Sequence, residues 1–169
     1  KQYDLVIGAD GAYSGTRDAL LRKERICFSK KYIEHGYKEL CIPPVIKNGV
    51  AEYALDDPNG LHIWPRGKLM LVALPNADKS FTATLFAPYQ GSDGFESVDK
   101  NNNDQIMDYF TNHFPDVVDI MPSLCDDFST NPVGSLVTIK VSPWNCGRVV
   151  LIGDAAHAVV PFYGQGMNA

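Results

Sequence analysis

Apolar residues form short unbroken runs near the two ends of the chain and alternate with polar residues between them. Near the start, Asp4-Leu5-Val6-Ile7 leads into a Gly-Ala-Asp-Gly turn, and near the end Val149-Val150-Leu151-Ile152 leads into Gly153-Asp154. Short apolar runs that end in a tight turn are typical of buried strands in parallel sheets. Ser14 follows the first turn and is placed to cap a helix.

The middle of the chain predicts an antiparallel meander. From Ile26 to about Gln90, apolar and polar positions alternate, and turn sequences such as Asp57-Pro58-Asn59-Gly60 separate the runs. By this alternation, Leu61 and Ile63 share one face of their strand. Met70, Val72 and Leu74 share one face of the next strand.

Helical spacing follows the meander. Ile106, Met107, Phe110 and Phe114 recur at helical intervals, and Asn102 or Asn103 is placed to cap the helix. Residues 117–124 also have helical spacing, but Pro122 interrupts it. Residues 135–141 return to a strand-like pattern.

These patterns predict a mixed α/β chain, α+β overall, in which two short α/β pieces bracket an antiparallel insert. We expect both end strands to lie in one sheet. The expected domains are residues 1–25 and 141–169, which form parts of one domain, and residues 26–140, which form a second. The chain opens without Met and stops within a Gly-rich turn, so we expect it to be an interior segment of a larger protein.

Composition narrows the class of function. The formal net charge is −5, which argues weakly against a nucleic-acid binder. Residues 92–131 hold nine carboxylates against one lysine, so the rest of the chain is mildly basic and suits an anionic ligand. The four cysteines form no C-x-x-C pair and the histidines no H-x-x-x-H pair, so no metal site is predicted. No apolar run is long enough to span a membrane.

The strongest chemical signal is Gly153-Asp154-Ala155-Ala156-His157, followed by Gly164-Gln165-Gly166. A carboxylate just after a buried strand lies at the carboxyl end of the sheet, where open α/β sheets bind ligands. Asp154 can accept hydrogen bonds from sugar-like hydroxyls there, and the two glycines allow a flat ligand to approach the backbone. The alternative role for Asp154 is helix capping. For His157 we favour a packing or capping role over a catalytic one.

Two motifs together resemble the flavin-dependent aromatic hydroxylases. Gly8-Ala9-Asp10-Gly11-Ala12-x-Ser14-x-x-Arg17 looks like the internal fingerprint of that family, and Gly153-Asp154-Ala155-Ala156-His157 looks like its motif for the ribityl chain of FAD. Taken alone, the first motif has a structural interpretation, in which Asp10 belongs to a turn, Ser14 is a cap and Arg17 is a surface charge. The fold implied is an interior fragment of an aromatic hydroxylase, with parts of a Rossmann-like FAD-binding domain bracketing an antiparallel-sheet substrate domain.

Three further segments resemble the branch of this family that hydroxylates L-kynurenine. They are Glu34-His35-Gly36-Tyr37-Lys38-Glu39-Leu40, Leu61-His62-Ile63-Trp64-Pro65-Arg66 and the segment 161–169. The resemblance implies an FAD enzyme that converts L-kynurenine to 3-hydroxykynurenine with NADPH and O₂. In such enzymes the flavin carries the chemistry, so no side chain of this chain is assigned as catalytic.

The resemblance also implies residue roles. The cofactor-binding residues are expected to be Asp154 at the ribityl chain, Gly166, Met167 and Asn168 along the flavin ring, and Asp10 and Arg17 near the pyrophosphate or the path of NADPH. The residues expected to line the substrate pocket are Leu61, Met70, Val72, Leu74, Phe86, Pro161, Phe162 and Gln165. The alternative for the five pocket residues of the meander is that they are ordinary core between sheet and helices.

Two other functions stay open. The chain could belong to another FAD aromatic hydroxylase, such as one that acts on salicylate or a ubiquinone precursor, or to a non-catalytic flavin-fold module for protein interaction. The family resemblance also implies a cytosol-facing location at the mitochondrial outer membrane. Any attachment would then use a segment outside this chain.

Overall fold

A computed structural model describes residues 3–163, 166 and 168 of the chain. Its contacts divide the chain into two units. Lys1–Ile33 and Leu136–Ala169 form one, called here the flanking unit, and Glu34–Ser135 form the other, called the central unit.

Within the described residues the strands are β1 (Val6–Gly8), β2 (Cys27–Ile42), β3 (Val45–Lys47), β4 (Val50–Glu52), β5 (His62–Arg66), β6 (Leu69–Pro75), β7 (Phe81–Pro88), β8 (Gly134–Ser142), β9 (Asn145–Cys146) and β10 (Val149–Leu151). The α-helices are α1 (Gly15–Leu21), α2 (Asn103–His113), α3 (Leu124–Thr130) and α4 (Asp154–His157). Single 3₁₀ turns occupy Phe95–Ser97, Val118–Ile120 and Pro161–Tyr163.

The two end strands pair in one sheet, as the sequence predicts. β1 runs parallel to β10, and β9 lies antiparallel on the other side of β10. The prediction that the first apolar run is buried is wrong, because Val6 is 38 % and Ile7 56 % exposed. The sheet order β1-β10-β9 leaves β1 at an edge, so only one neighbouring strand covers it.

Ser14 caps α1, which confirms that prediction. Its hydroxyl accepts a hydrogen bond from the Arg17 backbone N–H at 2.9 Å. Gly8 lets the helix approach the sheet closely, because a Cβ atom there would lie 2.8 Å from both Leu151 Cδ2 and Thr16 Cγ2. The core of the flanking unit then forms between α1, β8, β10 and α4, with Leu20, Ile139, Leu151 and Ala155 among its buried residues.

The central unit contains the predicted meander. β5, β6 and β7 pair antiparallel in sequence order, and β7 pairs antiparallel with β2. β8 adjoins β2 to give a five-stranded sheet, and β3 and β4 form a separate hairpin. Alternate side chains of the sheet are buried with α2 and α3 in one core. The described helices include none that is both long and apolar enough to cross a membrane.

Two helices cover that core. α2 carries the predicted buried residues Ile106 and Phe110, with Asn102 as its cap. The segment that contains Pro122 forms a 3₁₀ turn, Val118–Ile120, and a new helix, α3, starts after it. Buried Lys38 holds the end of α3, since its ammonium donates to Phe128 O at 2.7 Å and Asn131 O at 2.6 Å.

Candidate functional site

The carboxyl ends of β1 and β10 coincide at one edge of the flanking unit's sheet. Gly8 pairs with Leu151, and the Ile152 N–H donates to Gly8 O at 3.0 Å. Each strand passes directly into a motif that the sequence singles out. The parallel register therefore brings the turn of Asp10 and the turn of Asp154 to the same edge.

Asp10 organises the turn between β1 and α1. The Ser14 hydroxyl donates to one of its carboxylate oxygens at 2.5 Å, and the Thr16 N–H and hydroxyl donate to the other at 2.9 and 3.0 Å. These hydrogen bonds, that from Ser14 foremost, lower the pKa of Asp10 to about 2. The carboxylate is therefore charged at neutral pH and already engaged by its own turn.

Arg17 is buried, so its interpretation as a surface charge is wrong. The residue is 2 % exposed, and its guanidinium donates to Ala155 O at 3.1 Å and to Ala12 O at 2.9 Å. Its Cζ lies 4.9 Å from the centre of the Phe28 ring. Its Nε has no hydrogen-bond partner among the described residues and lies 3.9 Å from a carboxylate oxygen of Asp18. Arg17 thus joins the turn before α1 to α4, which follows β10.

Asp154 is not a helix cap. The N-cap of α4 is Gly153, which has a φ of 59° and a backbone conformation that other residues rarely adopt, and no side chain caps the helix. Asp154 is the exposed first residue of α4. Its carboxylate has no hydrogen bond or ion pair with any residue that the structure describes. It is consequently an acceptor that no described residue engages, at the edge formed by the carboxyl ends of β1 and β10.

The other residues of the second motif have simpler surroundings. The His157 ring is half-buried and its centre lies 4.8 Å from that of the Trp144 ring, which agrees with a packing role. Gly166 and Asn168 are exposed. The expected cofactor residue Met167 and the expected pocket residue Gln165 lie outside the described residues.

The five pocket residues predicted in the meander lie on the sheet face opposite the core. Met70 pairs with Phe86, and Val72 pairs with Thr84. Leu61 immediately precedes β5. The core takes the alternate positions of the same strands, such as Leu71, Ala73 and Leu85.

The interpretation of these five residues as core between sheet and helices is therefore wrong for this arrangement. Leu61 and Leu74 are 55 % and 54 % exposed, and Met70 and Val72 are half-buried. Phe86 is only 6 % exposed, but it packs beside Tyr37, with ring centres 6.5 Å apart, and not within the helix-covered core. A partly exposed apolar wall of this kind suits an aromatic ligand.

The predicted pocket residues leave out two members of this face, of which Ile63 was predicted from alternation to share a face with Leu61. Ile63 pairs with Val72 and Tyr37 pairs with Phe86, so both side chains project from the same side as the predicted residues. Alternation within each strand was visible in the sequence, but the register between strands was not. The remaining predicted pocket residues that the structure describes, exposed Pro161 and half-buried Phe162, belong to the flanking unit.

Comparison with known proteins agrees with the two motifs. The family described as FAD binding domain matches residues 2–169. A kynurenine 3-monooxygenase of Dictyostelium discoideum is 50 % identical over 97 % of this chain and 35 % of its own length. One of Flavobacterium psychrophilum is 51 % identical over 99 % of this chain and 36 % of its own length. The kynurenine 3-monooxygenase of Sus scrofa is 46 % identical over 98 % and 34 % respectively. The chain thus spans about a third of the length of these relatives.

Solved structures share the fold at low identity. The tetrameric form of 2-methyl-3-hydroxypyridine-5-carboxylic acid oxygenase has a TM-score of 0.74 at 23 % identity, covering 98 % of this chain and 42 % of that one. Klebsiella pneumoniae HpxO in complex with FAD and uric acid has a TM-score of 0.64 at 20 % identity, covering 96 % and 39 %. The fold of this chain is accordingly a part of the fold of these larger proteins.

Arg17→Lys tests the link between the two motifs. A lysine ammonium cannot span both Ala155 O and Ala12 O with the fork of a guanidinium. We expect the free energy of unfolding to fall by about 1.5–3 kcal/mol, the range for a lost hydrogen bond to a charged group. Denaturant unfolding of the full-length protein measures it. Arg22→Lys, at the exposed end of α1, is the control and should change stability by less than about 0.5 kcal/mol. Equal effects of the two changes would contradict this role.

Proposed function

This chain belongs to the FAD binding domain family, and we propose that the protein is an FAD-dependent monooxygenase that converts L-kynurenine to 3-hydroxykynurenine. One atom of O₂ enters the ring C–H bond ortho to the amine, and the other leaves as water with two electrons from NADPH and a proton. Attachment to the mitochondrial outer membrane is a further part of the proposal.

The main support is the identity of 46 to 51 % with kynurenine 3-monooxygenases over nearly the whole chain. This identity extends across both units, so it includes the cofactor motifs of the flanking unit and the apolar face of the central unit. The low-identity structures support the fold only. The choice of L-kynurenine over another aromatic substrate therefore depends on the sequence relatives.

The described residues of the flanking unit fit a flavin dinucleotide. Asp154 offers a carboxylate acceptor that has no partner among the described residues, which suits the hydroxyls of the ribityl chain. The Asp10 carboxylate already accepts hydrogen bonds within its own turn, and the Arg17 guanidinium already donates to two carbonyls. In this proposal both residues therefore position the cofactor site. Gly166, Met167 and Asn168 keep their proposed place along the flavin ring. When bound, the flavin supplies the electron transfer and oxygen chemistry of the reaction.

The chain's own contribution on the substrate side is to hold an aromatic ring and exclude water. The face formed by Met70, Val72, Phe86 and their neighbours offers no charged group near its centre other than Glu39, which pairs with Thr84. Apolar walls of this kind bind an aromatic ring without hydrogen bonds that fix its orientation. Groups that bind the amino-acid end of the substrate are proposed to lie outside this chain, and Pro161, Phe162 and Gln165 keep their proposed role as substrate-pocket residues.

We expect L-kynurenine to accelerate NADPH oxidation by the flavin-loaded full-length protein. The substrate should be hydroxylated in proportion to the NADPH consumed, which chromatography of the product measures against absorbance at the NADPH band. Stimulation by salicylate or a ubiquinone precursor, with none by L-kynurenine, would favour another aromatic hydroxylase. Purified protein that retains no flavin would favour the non-catalytic module.

Asp154→Ala should remove most of the bound FAD. The change deletes the open acceptor for the ribityl hydroxyls, while no described residue loses a hydrogen bond, so the fold should persist. Flavin absorbance per protein and a far-UV circular dichroism spectrum measure the two expectations. Asp4→Ala, another exposed carboxylate of the flanking unit, is the control. Normal flavin content in Asp154→Ala would overturn the assignment.

Met70→Ala should raise the KM for L-kynurenine about tenfold with flavin content unchanged. The truncation removes Cγ, Sδ and Cε from the proposed wall, where even one lost methylene contributes roughly 1–3 kcal/mol to binding. Steady-state kinetics at saturating NADPH measure it. Ile46→Ala, an exposed apolar residue of the separate β3–β4 hairpin, should leave KM unchanged. An unaltered KM in Met70→Ala would exclude this face from the pocket.

A further inference from the structure

Lys30 lies between two tyrosine rings in the flanking unit. Its ammonium nitrogen is 4.1 Å from the centre of the Tyr13 ring and 5.3 Å from that of the Tyr32 ring. Both tyrosines are more than half exposed, at 62 % and 51 %. Among the residues that the structure describes, no carboxylate forms an ion pair with Lys30. The two aromatic faces and the Tyr32 hydroxyl are therefore the described groups that stabilise the charge of the Lys30 ammonium.

The polar ends of this cluster converge on one oxygen atom. Hydrogen bonds to the Tyr32 oxygen from Lys30, the larger cause, and from Tyr13 lower the pKa of Tyr32. The groups that stabilise partial negative charge on the Tyr32 oxygen can equally donate hydrogen bonds to the oxygen of an anionic ligand. Because the tyrosines and the lysine are already held together, little side-chain entropy would be lost when such a ligand binds.

The cluster adjoins the turn of Asp10. Tyr13 belongs to that turn, and Phe28, Lys30 and Tyr32 lie at alternate positions of β2, on one face of the strand. Phe28 contacts Arg17, as Lys30 contacts Tyr13, so two independent contacts place this face against the turn and α1. The surrounding sequence is basic, since residues 17–31 carry six basic and two acidic side chains.

We propose that Tyr13, Lys30 and Tyr32 form a binding site for a phosphate-bearing nucleotide. The phosphate would contact the Lys30 ammonium and the Tyr32 hydroxyl, and the flat base or ribose would lie against an exposed tyrosine ring. This inference rests on the proposed function, because the nucleotide that this reaction consumes is NADPH. Either its 2′-phosphate or its pyrophosphate has the required chemistry.

The test is a binding titration with flavin-loaded full-length protein. The probes are NADPH, NADH and 2′,5′-ADP, and the variants are Lys30→Met and Tyr32→Phe, which keeps the ring. We expect Lys30→Met to weaken NADPH binding about tenfold and Tyr32→Phe to weaken it less, with flavin content unchanged. Lys31→Met, adjacent but on the opposite face of β2, is the matched control and should bind normally.

The three probes separate the possible outcomes. Weakened binding of NADPH and 2′,5′-ADP, with normal NADH binding, places the 2′-phosphate on Lys30. Equal weakening for NADPH and NADH places the pyrophosphate there. Unchanged dissociation constants for all three probes in Lys30→Met would overturn the site. Because 2′,5′-ADP binding does not need kynurenine or turnover, the site can fail or survive independently of the proposed substrate.

Discussion

The parallel pairing of β1 with β10 is the constraint on which the cofactor residues depend. Residues separated by nearly the full length of the chain meet at one sheet edge because Gly8 aligns with Leu151. Arg17 reinforces that pairing from a second direction, since its buried guanidinium joins Ala12 O to Ala155 O. A buried guanidinium that loses its acceptors is costly, so the geometry of one motif constrains the other. Asp154 can then remain exposed and unengaged without any loss of local order.

The substrate side depends on a different constraint, the register of antiparallel strands. A slip of one residue would move every side chain of a strand to the other face of the sheet. The core fixes the register here, because Leu71, Ala73 and Leu85 must be buried under α2 and α3. Their neighbours Met70, Val72 and Phe86 are thereby forced onto the opposite face. The position of the apolar wall is therefore a consequence of core packing.

Patterns local in sequence predicted the fold well. The end strands, the Ser14 cap and the helix begun by Asn102 follow from periodicity and capping residues alone. What failed depends on distant partners. The exposure of Ile7 follows from the strand's edge position, and the burial of Arg17 follows from carbonyls at Ala12 and Ala155. Register likewise decides that Tyr37 joins the apolar face, which no single strand reveals. The roles of Asp154 and of the pocket residues stay predictions.

The two units differ in the sign of their net charge, and the difference matches the charges of the ligands proposed for each unit. The central unit carries fifteen acidic and six basic side chains, whereas the flanking unit carries five acidic and nine basic ones. A net negative unit repels phosphates, and a net positive one attracts them and raises their local concentration. The acidic stretch 92–131 includes α2 and α3, which cover the core on the side of the sheet opposite the proposed substrate wall, so it lies away from the apolar contacts that the ring of the substrate needs. FAD and NADPH each carry several negative charges, and both are proposed to bind the unit that carries Arg17, Lys30 and their basic neighbours. Reversing the charge of that unit would weaken the binding of both dinucleotides at low ionic strength. The effect would be much smaller at high salt, because screening removes the long-range part of the attraction.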